Sequence, residues 1–127
     1  MRTVGSETAM FNQIGIIMVT VSDMARSTAF YRDVLGLSLQ FSSPDWTQFE
    51  IGGVQVALHI AGPNLKVNSD VGVNFGFYTD DIDKTLADLT TRGAEIAYRT
   101  EEDFGTLSAL KDPDGYTIQL CQLKHNP

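Results

Sequence analysis

The sequence has little cysteine, little positive charge and no long apolar run. Its single cysteine, Cys121, excludes a disulfide within the chain and fits a reducing compartment. Nine Lys and Arg face sixteen Asp and Glu, and the net charge of −7 argues against a nucleic-acid partner. No apolar run approaches the roughly 20 residues that span a bilayer, and no signal-peptide pattern opens the chain. We therefore expect a cytoplasmic protein that binds neither nucleic acid nor membrane.

The composition is that of one globular domain. A chain of 127 residues with 43% apolar content is long enough to bury a hydrophobic core. The acidic balance is compatible with a cationic ligand, although acidic surfaces more often serve solubility.

The segment Val21–Leu37 carries the strongest local pattern. Ser22 or Asp23 can accept hydrogen bonds from the first turn of a helix, and Gly36 can end that helix in a left-handed conformation. Apolar residues recur between them at helical spacing, namely Met24, Ala29, Phe30, Val34 and Leu35. A β-branched stretch, 14–21, precedes the helix, so the unit is predicted to be strand, capped helix, glycine and strand.

The same unit occurs a second time. Asp81 follows Asp23 by 58 residues, and Thr85 follows Ser27 at the same offset. Gly93 follows Gly36 at 57. Two copies indicate an internally duplicated domain and not a solenoid, which needs three or more repeats.

The pattern predicts two modules of the form β-α-β-β-β and therefore an α+β fold. The predicted strands are 14–21, 38–42, 46–51, 54–61, 73–79, 95–99, 106–111 and 116–123, with helices at 24–35 and 82–92. Gly52-Gly53 and Asp112–Gly115 are predicted turns, and 101–103 an acidic loop. We expect a flexible tail at 1–13, a single domain at 14–123 and a C-terminal tail at 124–127. Within the domain, module one is 14–61, the linker 62–72 and module two 73–123.

Several of these segments resemble one known family. They are Val21-Ser-Asp23, Ser27-Thr-Ala-Phe-Tyr-Arg-Asp-Val-Leu-Gly36, Thr79-Asp-Asp81 and Asp112-Pro-Asp-Gly-Tyr116. In this order they resemble the glyoxalase/bleomycin-resistance/extradiol-dioxygenase superfamily, also called vicinal oxygen chelate proteins. The resemblance implies a curved, cup-like mixed sheet with helices outside, and frequent homodimers.

The resemblance also implies where a divalent metal would bind. Its four ligand positions correspond here to Ile16, Ala57, Asn74 and Gln119, where metal-active relatives carry His, Glu or Gln. Two of these side chains are aliphatic, and neutral amides are weak partners for a transition metal. We therefore predict that the usual metal site is lost and that no cofactor is needed.

His59 leaves an alternative open. Strand alternation places it on the same face as Ala57, so a relocated divalent metal could use His59 with Gln119 and Cys121 or Asn74. His59 could also act alone as an acid or base, or lie at the cup rim. Cys121 could be a nucleophile only with His59 as its base, and is more often a small buried hydrophobe.

Functionally, the sequence favours a binding protein. The expected ligand-binding residues lie on strands that line the cup: Met18, Trp46, Ala57, His59, Asn74, Gln119 and Cys121. This lining suits a small, mostly apolar molecule, such as an antibiotic or metabolite, with a positive charge as one option. The alternatives are a metal-dependent lyase, isomerase or dioxygenase with ligands shifted around His59, and a cup filled by its own side chains. We expect a homodimer.

Overall fold

A computed structural model describes residues 10–63, 66–69 and 74–124 of the chain. Most of the predicted N-terminal and C-terminal tails, and residues 64–65 and 70–72 of the predicted linker, lie outside these described residues. The eight strands are β1 (Ile16–Val21), β2 (Ser38–Ser42), β3 (Trp46–Ile51), β4 (Val54–Ile60), β5 (Phe75–Tyr78), β6 (Ile96–Glu102), β7 (Gly105–Lys111) and β8 (Thr117–Leu123). Helix α1 (Met24–Ala29) continues as a π-helical turn over Phe30–Val34, and α2 is Ile82–Thr91.

The strands form two four-stranded sheets with the same order. The first is β1-β4-β3-β2 and the second is β5-β8-β7-β6. In each sheet the edge pair, β1 with β4 or β5 with β8, is parallel and the other pairs are antiparallel. The predicted α+β fold of two βαβββ modules is confirmed.

The helix boundaries follow from the repeated caps. The Asp23 carboxylate accepts a hydrogen bond from the Arg26 N–H at 3.0 Å, and the Asp81 carboxylate accepts one from the Lys84 N–H at 3.1 Å. Both caps satisfy donors that a helix's first turn leaves free. After α1, Gly36 takes φ +73°, a conformation that a Cβ would disfavour. Neither helix in the described part of the chain is long and apolar enough to cross a bilayer.

The buried face of the first helix differs from the prediction. Met24 is buried as expected, but Ser27, Thr28 and Tyr31 are its buried companions. Phe30, Val34 and Leu35 are only partly buried, although they pack against the core. Met24, Ser27, Thr28 and Tyr31 are spaced i, i+3, i+4 and i+7, so the buried stripe has ordinary helical spacing and differs from the prediction because it carries polar residues. After Tyr31 the helix widens, and Leu35 N–H donates to Phe30 C=O at 3.0 Å, five residues back.

The predicted acidic loop at 101–103 was partly wrong. Glu101 and Glu102 lie in β6, where they pair with Thr106 and Gly105 of β7. Arg99 forms an ion pair with Glu101 at 3.3 Å, and the Thr100 hydroxyl donates a hydrogen bond to the Glu102 carboxylate at 3.0 Å. The strand pairing therefore continues through an acidic segment.

A buried polar cluster joins the two modules. The Tyr31 hydroxyl of module one donates to the Asp112 carboxylate of module two at 2.7 Å. The other Asp112 oxygen accepts from the N–H groups of Asp114 and Tyr116, both at 2.9 Å. The Tyr116 hydroxyl in turn donates to Thr20 C=O at 2.9 Å. The predicted Asp112–Gly115 turn is thus confirmed, and it also holds the modules together.

Candidate ligand-binding face

One side of the first sheet packs on the core, and the other side is open. Val19, Val21, Phe49, Val56 and Leu58 point to the core side, where they are buried. Because side chains alternate along a strand, their neighbours point to the opposite side. We call that side the first-sheet face, formed by Ile16, Met18, Thr20, Gln40, Phe41, Trp46, Gln48, Glu50, Gln55, Ala57 and His59.

Four of the predicted ligand-binding residues meet on this face. Met18 and Ala57 are register partners between β1 and β4, and Trp46 and His59 are partners between β3 and β4. Met18 is 49% exposed, whereas Ala57 is fully covered by its neighbours. The small Ala57 therefore forms the floor between larger side chains.

His59 is held in a defined orientation. Its Nδ1 lies 2.8 Å from Ile60 C=O, which can only accept, so Nδ1 donates this hydrogen bond. The Trp46 and His59 rings meet edge to face, with centroids 5.7 Å apart and an interplanar angle of 85°. This edge-to-face contact holds the two aromatic rings in place beside the open face.

A network of amide groups covers the middle of the face. The Trp46 indole N–H donates to Gln48 Oε1 at 3.0 Å. Gln48 Nε2 then donates to Gln40 Oε1 at 3.0 Å and to Gln55 Oε1 at 3.1 Å. We call these four residues the amide network. It fixes polar groups in an otherwise apolar and aromatic surface.

Two further predicted residues lie on the second sheet. Gln119 pairs with Gly76 and Cys121 pairs with Tyr78, between β8 and β5. These four residues line a shallow hollow of about 260 Å³. Cys121 is a half-buried free thiol.

The last predicted residue, Asn74, lines a cleft between the edges of the two sheets. The cleft has a volume of about 560 Å³, and Met18 belongs to both this cleft and the first-sheet face. Its other lining residues are mostly apolar or neutral: Ile14, Ile17, Val19, Thr20, Lys66, Asn68, Ser69, Phe75, Tyr116 and Thr117. The cleft is large enough for a ligand of several rings.

The four family metal positions do not form a chelate here. Ile16 and Ala57 carry no donor atom, and Asn74 and Gln119 offer only amides. Among residues 10–63, 66–69 and 74–124, no three His, Cys, Asp or Glu side chains converge as ligands. These residues do not fit a divalent ion, and we derive no chemistry from one.

Sequence reasoning missed the amide network. Gln48 lies four residues before Gly52 and Gln55 two residues after Gly53, so alternation on the two strands of this hairpin could have placed them on one face. Gln40 could not be placed, because the β2–β3 register shifts between Leu39 and Phe41.

Comparisons with known proteins agree with this architecture. The model of the Glyoxalase/Bleomycin resistance protein/Dioxygenase superfamily matches residues 13–120. The lactoylglutathione lyase GLX1 of Arabidopsis thaliana is 26% identical over 125 residues, which cover 87% of this chain and 44% of that protein. This chain thus spans less than half of that relative's length.

Solved structures share the fold. TnmS3, an antibiotic-binding protein from Streptomyces sp. CB03234, superposes with a TM-score of 0.75 at 24% identity, covering 91% of this chain and 99% of its own. A lactoylglutathione lyase from Agrobacterium tumefaciens gives a TM-score of 0.73 at 19% identity, covering 90% and 96%. The paired modules and the family match show that the chain belongs to the glyoxalase/bleomycin-resistance/dioxygenase superfamily.

Proposed function

We propose that this protein binds a small, mostly apolar organic molecule, such as an antibiotic or a metabolite, without a metal ion. The observation that carries the proposal is the first-sheet face itself. Where metal-active relatives have ligands, this face has Ile16 and Ala57, and beside them it has aromatic side chains and amides.

Exposure supports a binding role for this face. Ile16, Met18 and Phe41 are 46%, 49% and 51% exposed, which places three large apolar side chains on one open surface. Apolar surface of this kind gains free energy when a ligand covers it, at roughly 25 cal/mol per Å². The adjoining cleft of about 560 Å³ offers further volume.

The likeness to TnmS3 agrees with this proposal, because that protein is described as antibiotic-binding. The net charge of −7 remains compatible with a cationic ligand. The homodimer remains a prediction. The exposed first-sheet face would also supply apolar surface for a contact between two copies of the chain. No described contact favours the alternative of a metal enzyme with ligands shifted around His59.

A ligand screen tests the proposal. We expect some apolar antibiotics or metabolites to raise the midpoint of thermal unfolding, since a ligand at 100 times its Kd adds about 2.7 kcal/mol. His59→Ala removes the imidazole ring and its edge contact with Trp46. We expect it to weaken binding about tenfold by isothermal titration calorimetry, about 1.4 kcal/mol.

The matched control is Thr90→Ala, an exposed position on α2, for which the affinity should not change. Ligands that bind His59→Ala as tightly as the native protein would place the site elsewhere. A broad screen with no stabilising compound would contradict the proposal.

A further inference from the structure

The amide network has a fixed direction of hydrogen bonding. An indole N–H can only donate, so the Gln48 oxygen must face Trp46. If the Gln48 amide were turned around, two donors would meet. The Gln48 nitrogen therefore points away from Trp46, toward Gln40 and Gln55.

The orientation of the Gln48 amide also determines the orientation of the Gln40 and Gln55 amides. Gln48 Nε2 has two N–H groups and directs one to the oxygen of Gln40 and one to the oxygen of Gln55. Each outer amide uses its oxygen inward and keeps its NH₂ group for the open face. Within the part of the chain that the structure describes, neither outer nitrogen donates a hydrogen bond. The single tryptophan thus determines that the network ends in donors.

The charges around the network are few. Glu50 is the carboxylate on the first-sheet face, and its Oε2 accepts from Gly53 N–H at 2.7 Å, at the hairpin end. Glu50 is the register partner of Gln55, and its negative charge disfavours an anionic acceptor there. A neutral carbonyl oxygen meets the free NH₂ groups without that repulsion.

We propose that the ligand is a neutral, flat, apolar molecule whose carbonyl oxygen accepts hydrogen bonds from the outer amides of Gln40 and Gln55. This inference rests on the proposed function and specifies its ligand class. Phe41, the register partner of Gln48, and Trp46, which donates to Gln48, lie beside the network and supply apolar contact for the rings. The N–H groups of a cationic ligand are hydrogen-bond donors, so they would face the NH₂ groups of Gln40 and Gln55, which are donors as well.

The substitution Gln48→Glu inverts the network with little change of shape. A carboxylate can only accept, so it keeps the bond from Trp46 and now draws the NH₂ groups of Gln40 and Gln55 inward. Their oxygens then face the ligand. The Gln48→Glu protein should therefore prefer a neutral ligand that donates a hydrogen bond to one that accepts a hydrogen bond.

A matched trio of neutral probes separates these cases. Fluorenone carries a carbonyl acceptor, carbazole carries an N–H donor, and fluorene carries neither, on rings of nearly equal shape. Indanone, indole and indane form a smaller trio. Binding is followed by isothermal titration calorimetry and by the thermal unfolding midpoint.

We expect the native protein to bind the carbonyl member about tenfold more tightly than the N–H member, the size of one hydrogen bond between otherwise equal ligands. Gln48→Glu should reverse the order. Gln48→Met breaks the network without adding charge and should abolish the preference for the carbonyl member. This variant also tests the proposal if Gln48→Glu does not fold.

The outcomes distinguish the two proposals. If neither trio binds the native protein while another apolar compound of the screen does, this inference is overturned and the proposed function stands; if no compound binds at all, both fail. If all members of a trio bind equally, or the N–H member binds best, the apolar site stands and the inference is overturned. An unchanged order in folded Gln48→Glu would also overturn it.

Discussion

Asp112→Ala is expected to lower the free energy of unfolding by about 3–4 kcal/mol. Asp112 is 5% exposed and accepts hydrogen bonds from the Tyr31 hydroxyl and from the N–H groups of Asp114 and Tyr116. Removing the carboxylate leaves these donors without partners at the junction of the two modules. An unsatisfied buried group costs about 1–3 kcal/mol, and hydrogen bonds to a charged group are stronger than neutral ones. Urea unfolding followed by circular dichroism measures the loss.

Two further variants serve as comparisons for the stability loss of Asp112→Ala. Tyr31→Phe removes one donor and leaves one Asp112 oxygen unpaired, so its expected cost is about 1–2 kcal/mol. Asp103→Ala makes the same chemical change in an exposed turn and should stay within about 0.5 kcal/mol of the native protein. A native-like stability for Asp112→Ala would show that the modules do not depend on this cluster.

The same cluster predicts a dependence on pH. Burial, followed by the neighbouring charge of Asp112, raises the pKa of Tyr31 well above its usual range. An unfolded tyrosine ionises near pH 10, so the contribution of the neutral Tyr31 is complete below that pH and is lost as the pH rises further. The deficit of Tyr31→Phe relative to the native protein should therefore shrink above about pH 10. Burial also raises the pKa of Asp112, although its hydrogen bonds oppose the shift.

Gly76→Ala is expected to destabilise the second sheet by about 2–3 kcal/mol. An added Cβ would lie 2.7 Å from Gln119 C=O and 2.9 Å from Gln119 Cβ. These atoms belong to the backbone and stem of the neighbouring strand, β8, so they cannot move aside without disturbing the β5–β8 pairing. Overpacking of this kind typically costs about 1–3 kcal/mol. Thermal and urea unfolding both report it.

Gly15→Ala is the matched control. A Cβ at Gly15 meets no heavy atom within 4 Å, and the residue precedes the edge strand β1. We expect a change within about 0.5 kcal/mol. Equal stabilities of the two alanine variants would mean that β5 and β8 are farther apart than described.

The local elements could be predicted because each has its own sequence signal. The caps at Asp23 and Asp81 and the stop at Gly36 act through neighbours within a few residues, and their repetition at a fixed offset indicated the duplicated fold. The burial of Tyr31 could not be predicted this way. It depends on Asp112, the partner of the Tyr31 hydroxyl, which lies 81 residues further along the chain.

In the candidate site, too, local features could be predicted and long-range contacts could not. Strand alternation was enough to place Ala57 and His59 on one face, since it depends only on the period of a strand. The approach of Gln40 to Gln48 depends on a register shift that the sequence does not mark. Gln119 and Cys121 line their hollow together with Gly76 and Tyr78, because the parallel pairing of β8 with β5 brings these residues side by side.

The most direct test of a metal-free binding site is the response of the chelator-treated protein to metal ions. Thermal unfolding is measured with Mn²⁺, Fe²⁺, Co²⁺, Ni²⁺ and Zn²⁺ in turn, with bound metal counted after dialysis, for the native protein and His59→Ala. We predict substoichiometric metal, no difference between the two proteins, and ligand binding that persists in chelator. Near-stoichiometric binding of one ion, with a stabilisation that is lost in His59→Ala, would contradict the account and favour a metal enzyme with relocated ligands.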